Sequence, residues 1–165
     1  MAAVLRGFST VVEHDHSIVT TLGAQCNKRT VLWVLGDVAM SQEHVLLLRD
    51  IPGRKILVRG NHDIYPTSVY LMAGFEQIYG IIKYKHFWVT HCPIHPQELY
   101  KRDANIHGHI HYTAKFKQPA FPFINMNWDF WQRAVSLDEI KRIVAQKYVV
   151  YPFNNDSVIH TEVCF

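Results

Sequence analysis

The chain has 165 residues, of which 48% are hydrophobic and 19% are charged. This composition provides a sizeable core and excludes a disordered or low-complexity protein. The formal net charge of +3 is too small to indicate nucleic-acid binding. We therefore expect one domain over residues 1–165.

The cysteines and the apolar runs indicate the compartment. Cys26, Cys92 and Cys164 are far apart and form no Cys-x-x-Cys pair, which argues against a disulfide framework or a zinc ribbon. The sequence has no apolar run of about 18 residues and no signal peptide. We expect a soluble, cytoplasmic protein with no membrane partner.

Helices and short apolar strands alternate along the first half of the chain. Ser9 or Thr10 can cap the first helix, Glu13 is placed to reach back, and Gly23 is a plausible stop. The elements predicted after it are a strand over 30–35, a helix over 41–50, a strand over 55–58 and a short helix over 68–73.

The second half continues this alternation. A strand pair is predicted over 78–85 and 86–90, with its turn at Lys85-His86. The later predicted elements are a turn or helix over 98–102, strands over 104–107, 112–117 and 123–127, a helix over 136–146, and edge strands over 148–151 and 158–163. Ser136 and Glu139 form a capping box for that helix. The pattern predicts an α/β fold.

Four of the predicted strands run directly into polar residues of metal-ligand type. Ligand sites in α/β sheets form at the carboxyl ends of strands, so these segments are expected to share one crevice. Each glycine in them permits a tight turn and a close backbone approach. The segments are Gly36-Asp37, Gly60-Asn61-His62-Asp63, His91 and Gly108-His109-Ile110-His111.

The candidate donors are one carboxylate, one amide and three imidazoles: Asp37, Asn61, His91, His109 and His111. Imidazole with carboxylate and without thiolate suits Mn, Fe, Zn or Ni. His109 and His111 face the same way on an extended strand, but from a tight loop they would reach two adjacent metals. Asp37 has two oxygens and can bridge two cations.

This ordered set of segments resembles the calcineurin-like metallophosphoesterase superfamily over about the whole chain. It is most similar to the small single-domain phosphoesterases of phages and bacteria, and the stretches 33–38, 90–96 and 135–137 add support. The resemblance implies a layered sandwich of mixed β-sheets flanked by helices. It also implies a metal-dependent hydrolase whose substrate is a phosphomonoester or phosphodiester.

The resemblance also implies a ligand set. Asp37 would bridge two divalent ions, with Mn²⁺ the leading expectation. Asn61, His91 and His109 would complete the second metal site, and His111 would bind the first. The metal pair would activate a water for attack on phosphorus.

Further roles follow for neighbouring residues. His62 would contact the phosphate or protonate the leaving group, with Asp63 orienting it, and Asn61 would also contact the substrate. His95 is a further candidate contact to phosphate, with an ordinary loop histidine as the alternative. Cys92 is adjacent to His91, and neighbours on a strand face opposite sides, so we expect a buried, inert thiol.

The sequence departs from the family pattern at its beginning. That pattern opens with a strand ending in Asp-x-His, which this chain lacks. The nearest triplet, His14-Asp15-His16, lies within the predicted first helix, where a solvated helix face explains it. We therefore expect one complete metal site and a missing N-terminal strand that leaves a sheet edge unpaired. A second copy of the chain is one way to cover that edge.

Two other functions are considered. The missing Asp-x-His favours a catalytically impaired metallophosphoesterase-fold protein that acts as a ligand- or protein-binding module. Asn61-His62 also suggests a His-Asn-His nuclease. Such a nuclease site occupies one compact unit, whereas these ligands lie on separate strands, so it ranks last.

Overall fold

The computed structural model describes residues 7–111 and 120–146 and the backbone of 162–164. Its first elements are α1 (Val11–Gln25), β1 (Val31–Val34), α2 (Gln42–Leu46), a 3-10 helix (Leu47–Asp50), β2 (Arg54–Val58), α3 (Thr67–Met72), β3 (Phe75–Tyr79) and β4 (Ile81–Tyr84). These are followed by β5 (Phe87–Thr90), a second 3-10 helix (Pro96–Leu99), β6 (Ala104–His107), β7 (Phe123–Asn125), α4 (Trp128–Trp131), β8 (Val135–Ser136), α5 (Leu137–Gln146) and β9 (Glu162–Cys164). Among these helices, none is long and apolar enough to cross a membrane.

The strands form two sheets. Sheet 1 has the order β3-β2-β1-β9-β8, and sheet 2 has the order β4-β5-β6-β7. All neighbours are parallel except the β4/β5 and β8/β9 pairs. The protein is thus a mixed α/β structure with two sheets and flanking helices, as the alternation of elements predicts.

Strands β1 and β2 of sheet 1 are buried on both faces along most of their length, and their apolar side chains point alternately to one face and the other. Trp33, Ile56 and Val58 pack into one core with side chains of sheet 2, whereas Leu32 and Leu57 pack into a second core with helical residues. The helical residues of this second core include Leu22 of α1, Val45 of α2, and Val69 and Tyr70 of α3.

Most of the predicted elements are present, and several predictions were wrong in detail. The Thr10 side chain caps α1 by accepting from Glu13 N–H at 3.1 Å. Gly23 does not end α1, which continues to Gln25. Strands β3 and β8 and helix α4 were not predicted, and the strand predicted over 78–85 is divided between β3 and β4. The strand predicted over 123–127 ends at Asn125. The edge strand predicted over 158–163 is described only at 162–164, where β9 lies between β1 and β8 and not at an edge. The predicted strands over 112–117 and 148–151 lie outside the described residues.

The expected unpaired edge beside β1 is absent, which corrects the prediction. β9 pairs with β1 in parallel, with Glu162 opposite Val31 and Cys164 opposite Trp33. β8 then pairs with β9 on its far side. The backbone groups of β1 are therefore paired on both sides by this chain itself, and no second copy is needed there.

Leu57 tests the layered packing, because its side chain is fully buried between sheet 1 and the helices. We expect Leu57→Ala to lower the free energy of unfolding by about 2–5 kcal/mol. Leu71→Ala is a matched control, since Leu71 is 52% exposed, and should change it by less than about 0.5 kcal/mol. Urea denaturation measures both, and equal losses would contradict this packing.

Candidate metal centre

The carboxyl ends of β1, β2, β5 and β6 bring four polar side chains together. Three atoms surround Nε2 of His91: Asn61 Oδ1 at 2.9 Å, His109 Nδ1 at 3.1 Å and Asp37 Oδ2 at 3.3 Å. The sequence separates these residues widely, but the parallel β1/β2 and β5/β6 pairs place their strand ends side by side. The structure therefore brings Asp37, Asn61, His91 and His109 together, and their role as metal ligands stays a prediction.

The protonation of His91 is set by the backbone. Its Nδ1 lies 2.6 Å from the carbonyl oxygen of Leu35, which can only accept, so Nδ1 carries a hydrogen. Nε2 then faces an amide oxygen, a carboxylate oxygen and a second imidazole. A hydrogen on Nε2 can form a hydrogen bond with only one of these three atoms, whereas a cation placed among them could bind them all.

The electrostatics of the metal-free site agree with this geometry. Burial of His91 disfavours its charge, but hydrogen bonds to Asp37 and to the Leu35 carbonyl outweigh burial and raise its pKa. Burial likewise opposes the charge of Asp37, yet its bonds to His91 and to the His62 backbone lower its pKa. Two causes lower the pKa of His109: burial is the larger, and the charge of His91 is the next. The raised pKa of His91 and the lowered pKa of Asp37 both favour the charged forms of this pair.

Asp63 positions the backbone around the site. Its Oδ2 accepts from the N–H groups of Gly60 at 2.7 Å and Asp37 at 2.9 Å, and its Oδ1 accepts from Val38 N–H at 2.9 Å. The expectation that Asp63 orients the His62 ring was wrong, because its buried carboxylate is occupied by these backbone groups. Asp63 instead ties the loop after β2 to the loop after β1.

The loops after β1 and β2 approach each other at Gly36 and Gly60. A Cβ on Gly36 would lie 2.5 Å from Gly60 N and 2.6 Å from His91 Nδ1, so a larger residue would push the donors apart. Asp37 and His109 themselves have positive φ angles of 53° and 64°. Such backbone is uncommon outside glycine and is concentrated at functional sites.

Cys92 belongs to the site, which corrects the expectation of a buried thiol. It is exposed, and its Sγ lies within 4.8 Å of ring nitrogens of His91 and His109. Thr90 Oγ1 donates to the Cys92 carbonyl at 2.6 Å, in the turn that ends β5. The strand alternation assumed in the prediction therefore no longer holds at position 92.

His62 and His111 lie on the wall of a cavity of about 520 Å³, together with Asp37, His91 and His109. The backbone N–H of His62 donates to Asp37 Oδ1 at 2.8 Å, which fixes its loop. Nδ1 of His111 lies 2.9 Å from Asp129 Oδ2, and its side chain is 52% exposed. His111 therefore faces the common cavity but is paired with Asp129 rather than with Asp37.

This cavity is also lined by residues that the sequence did not assign to the site. His14 and Asp15 of α1 and His44 of α2 line the cavity, and His14 is only 7% exposed. The prediction of a solvated face for His14-Asp15-His16 was thus wrong for its first two residues, whereas His16 is exposed. The Phe8 ring packs edge-on against His14, with ring centroids 5.3 Å apart, and Asp15 contacts His44 of α2.

His95 lies elsewhere. It is exposed and begins the second 3-10 helix, where its Nδ1 accepts from Gln97 N–H at 3.4 Å. Within the described part of the chain, the residues that line the cavity do not include it. The predicted phosphate contact by His95 is therefore not supported, and a capping role accounts for it.

The pair of His91 and Asp37 gives the metal-free protein a defined pH dependence. Because the pKa of His91 is raised from 6.5, its stabilising contribution is complete below about pH 6.5 and is lost as the pH rises through the folded value. In EDTA, the difference in unfolding free energy between wild type and His91→Gln should therefore shrink as the pH rises above about 6.5. The exposed His86→Gln variant is the control, and a difference that grows with pH would contradict the pairing.

Cys92 should influence which metal is preferred. A thiolate favours Zn²⁺ over Mn²⁺, and metal binding must displace the thiol proton, since burial and the charge of Asp37 raise the pKa of Cys92. We expect Cys92→Ser to weaken Zn²⁺ binding at least about tenfold while Mn²⁺ binding changes less. Competition titrations measure both affinities, and equal changes would exclude Cys92 as a ligand.

Comparison with known proteins gives one distant relative. The chain is 27% identical to the "Gene 66 protein" of Mycobacterium phage L5 over an alignment of 170 positions, which covers 81% of this chain and 82% of the phage protein. No family model matches the chain. No solved structure matches it either.

Proposed function

We propose that this protein is a metal-dependent phosphoesterase that hydrolyses a phosphomonoester or a phosphodiester. The observation that carries the proposal is the convergence of Asp37 Oδ2, Asn61 Oδ1 and His109 Nδ1 on His91 Nε2. The resemblance of the four motifs to calcineurin-like metallophosphoesterases supplies the reaction class. The layered arrangement of two sheets with flanking helices is compatible with that fold.

The four converging residues would hold one divalent ion, and Cys92 is placed to add a fifth donor. Carboxylate, amide and imidazole ligands suit Mn²⁺, whereas participation of the thiol would favour Zn²⁺ or Fe. Such an ion supplies Lewis acidity that neutralises phosphoryl charge and makes water a stronger acid. Asp63 and the Leu35 carbonyl hold the ligands in place before the ion arrives.

His62 is the proposed general acid. Its ring lines the cavity beside Asp37, and its backbone is anchored by the bond from its N–H to Asp37 Oδ1. An imidazole suits this task because its ordinary pKa lies near neutrality. His62 would donate a proton to the oxygen of the departing alcohol.

The alternative is a binding module that keeps the ion without turnover. One observation favours it: His111, the proposed ligand of a first metal, is paired with Asp129 instead of approaching Asp37. Among the described residues, the ligands of one metal site are therefore close together, whereas those of a second metal site are not. Metal binding without hydrolysis would identify this alternative.

The test is hydrolysis of bis(4-nitrophenyl) phosphate with added Mn²⁺ or Zn²⁺, combined with metal analysis of the same samples. We expect wild type to bind about one equivalent of metal and to release 4-nitrophenolate. His91→Ala should weaken metal binding by more than about tenfold and lower activity with it. His62→Ala should keep the metal and lower kcat by about 100-fold or more.

His86→Ala is the matched control, because His86 is exposed in the β4/β5 turn, and it should behave as wild type. Wild type that binds metal but hydrolyses neither this diester nor 4-nitrophenyl phosphate would favour the binding module. Activity that is unaffected by EDTA and by His91→Ala would refute the proposal.

A further inference from the structure

One face of α1 lines the same cavity as the candidate metal centre. Val11, His14, Asp15 and Ile18 all contribute to this wall, and their spacing of three, four and seven residues is that of a single helical face. Such a face is ordinarily apolar where it is covered. Here its centre is polar, although the His14 and Asp15 side chains are only 8% and 20% exposed.

These two residues form a polar cluster with His44 of α2. Asp15 Oδ1 lies 2.7 Å from His14 Nδ1, and Asp15 Oδ2 lies 3.1 Å from His44 Nδ1. A carboxylate only accepts, so the Nδ1 of His14 donates to Asp15. The contact of Asp15 with His44 favours a hydrogen on the facing Nδ1 of His44, and the Nε2 of a neutral His44 ring is then a hydrogen-bond acceptor. The His44 side chain is 33% exposed, so a ligand in the cavity can reach it.

The cluster does not have the form of a second metal site. Among the described residues, the group of His, Cys, Asp and Glu whose donor atoms lie close enough for one ion is His91, Cys92 and His109. In the cluster, each oxygen of Asp15 is already used by a different ring. A polar cluster of this kind suits hydrogen bonding to an organic ligand.

Apolar side chains line the remainder of the cavity. They include Ile18, Met40, Met126 and Trp128, so the cavity has a metal-binding side, an apolar lining and the His14-Asp15-His44 side. Its volume of about 520 Å³ falls in the range of roughly 300–1,000 Å³ that encloses small organic molecules. A phosphate group alone would occupy only the metal-binding side.

We propose that His44, positioned by Asp15, recognises the organic part of the phosphate ester. The substrate class is then an ester of an alcohol that combines a ring-sized apolar body with its own hydrogen-bond donors. The donors would meet His44, and the apolar body would lie against Met40, Met126 and Trp128. This inference rests on the proposed phosphoesterase function.

The experiment compares two substrates that release the same 4-nitrophenolate. Thymidine 5′-(4-nitrophenyl phosphate) has a ring N–H and a hydroxyl beside an apolar ring, whereas bis(4-nitrophenyl) phosphate has no such donors. We expect His44→Ala to raise KM for the thymidine ester about tenfold, the effect of one hydrogen bond, with kcat nearly unchanged. For bis(4-nitrophenyl) phosphate it should change both constants less than about twofold.

Asp15→Asn tests the positioning role, since it keeps the size of the side chain but accepts on one oxygen only. It should raise KM for the thymidine ester in the same direction as His44→Ala and leave the other substrate unaffected. His86→Ala is the matched histidine control. Equal losses on both substrates, or no loss on the thymidine ester, would overturn the inference while leaving the phosphoesterase proposal intact.

A binding measurement separates the two proposals if no ester is hydrolysed. Thymidine has no phosphate, so its binding does not depend on the metal. We expect it to shift the imidazole NMR signals of His44 in metal-free wild type and to bind at least about tenfold more weakly to Asp15→Asn. Unshifted His44 signals would overturn the inference independently of catalysis.

Discussion

The hydrogen bond from His91 Nδ1–H to the Leu35 carbonyl is the contact on which the candidate site depends. It joins the end of β5 in sheet 2 to the segment after β1 in sheet 1 over 2.6 Å. By holding the hydrogen on Nδ1, it turns Nε2 toward Asp37, Asn61 and His109. Without it, the ring would be free to rotate and the donors would have no common centre.

The surrounding backbone is arranged so that this contact can form. Asp63 accepts three backbone N–H groups from the loops after β1 and β2, and Gly36 allows those loops to meet. Asp37 and His109 have strained, positive φ angles, whose cost is offset by the rest of the fold. The donors are therefore organised before any ion binds, which is the preorganisation that metal chemistry requires.

Local sequence signals predicted the part of the site that lies at strand ends. An apolar run followed by a glycine and a polar residue gives both the strand and its exit, so Asp37 and His91 could be placed. The positions of Cys92 and His14 in the site could not be predicted from such local signals. The position of the Cys92 side chain depends on the turn after β5. The burial of His14 depends on how Phe8, which precedes α1, packs against its ring. β9 pairs with a strand far away in sequence, which periodicity does not report.

The most direct test of the central claim is ¹⁵N NMR of the histidine side chains during titration with Zn²⁺. The geometry predicts that His91 stays protonated on Nδ1 while its Nε2 signal, together with Nδ1 of His109, shifts until about one equivalent of metal is bound. Other histidines should change little by comparison. Zn²⁺ that left the His91 Nε2 signal unchanged, or a His91 ring protonated on Nε2 in the zinc-bound protein, would contradict the account.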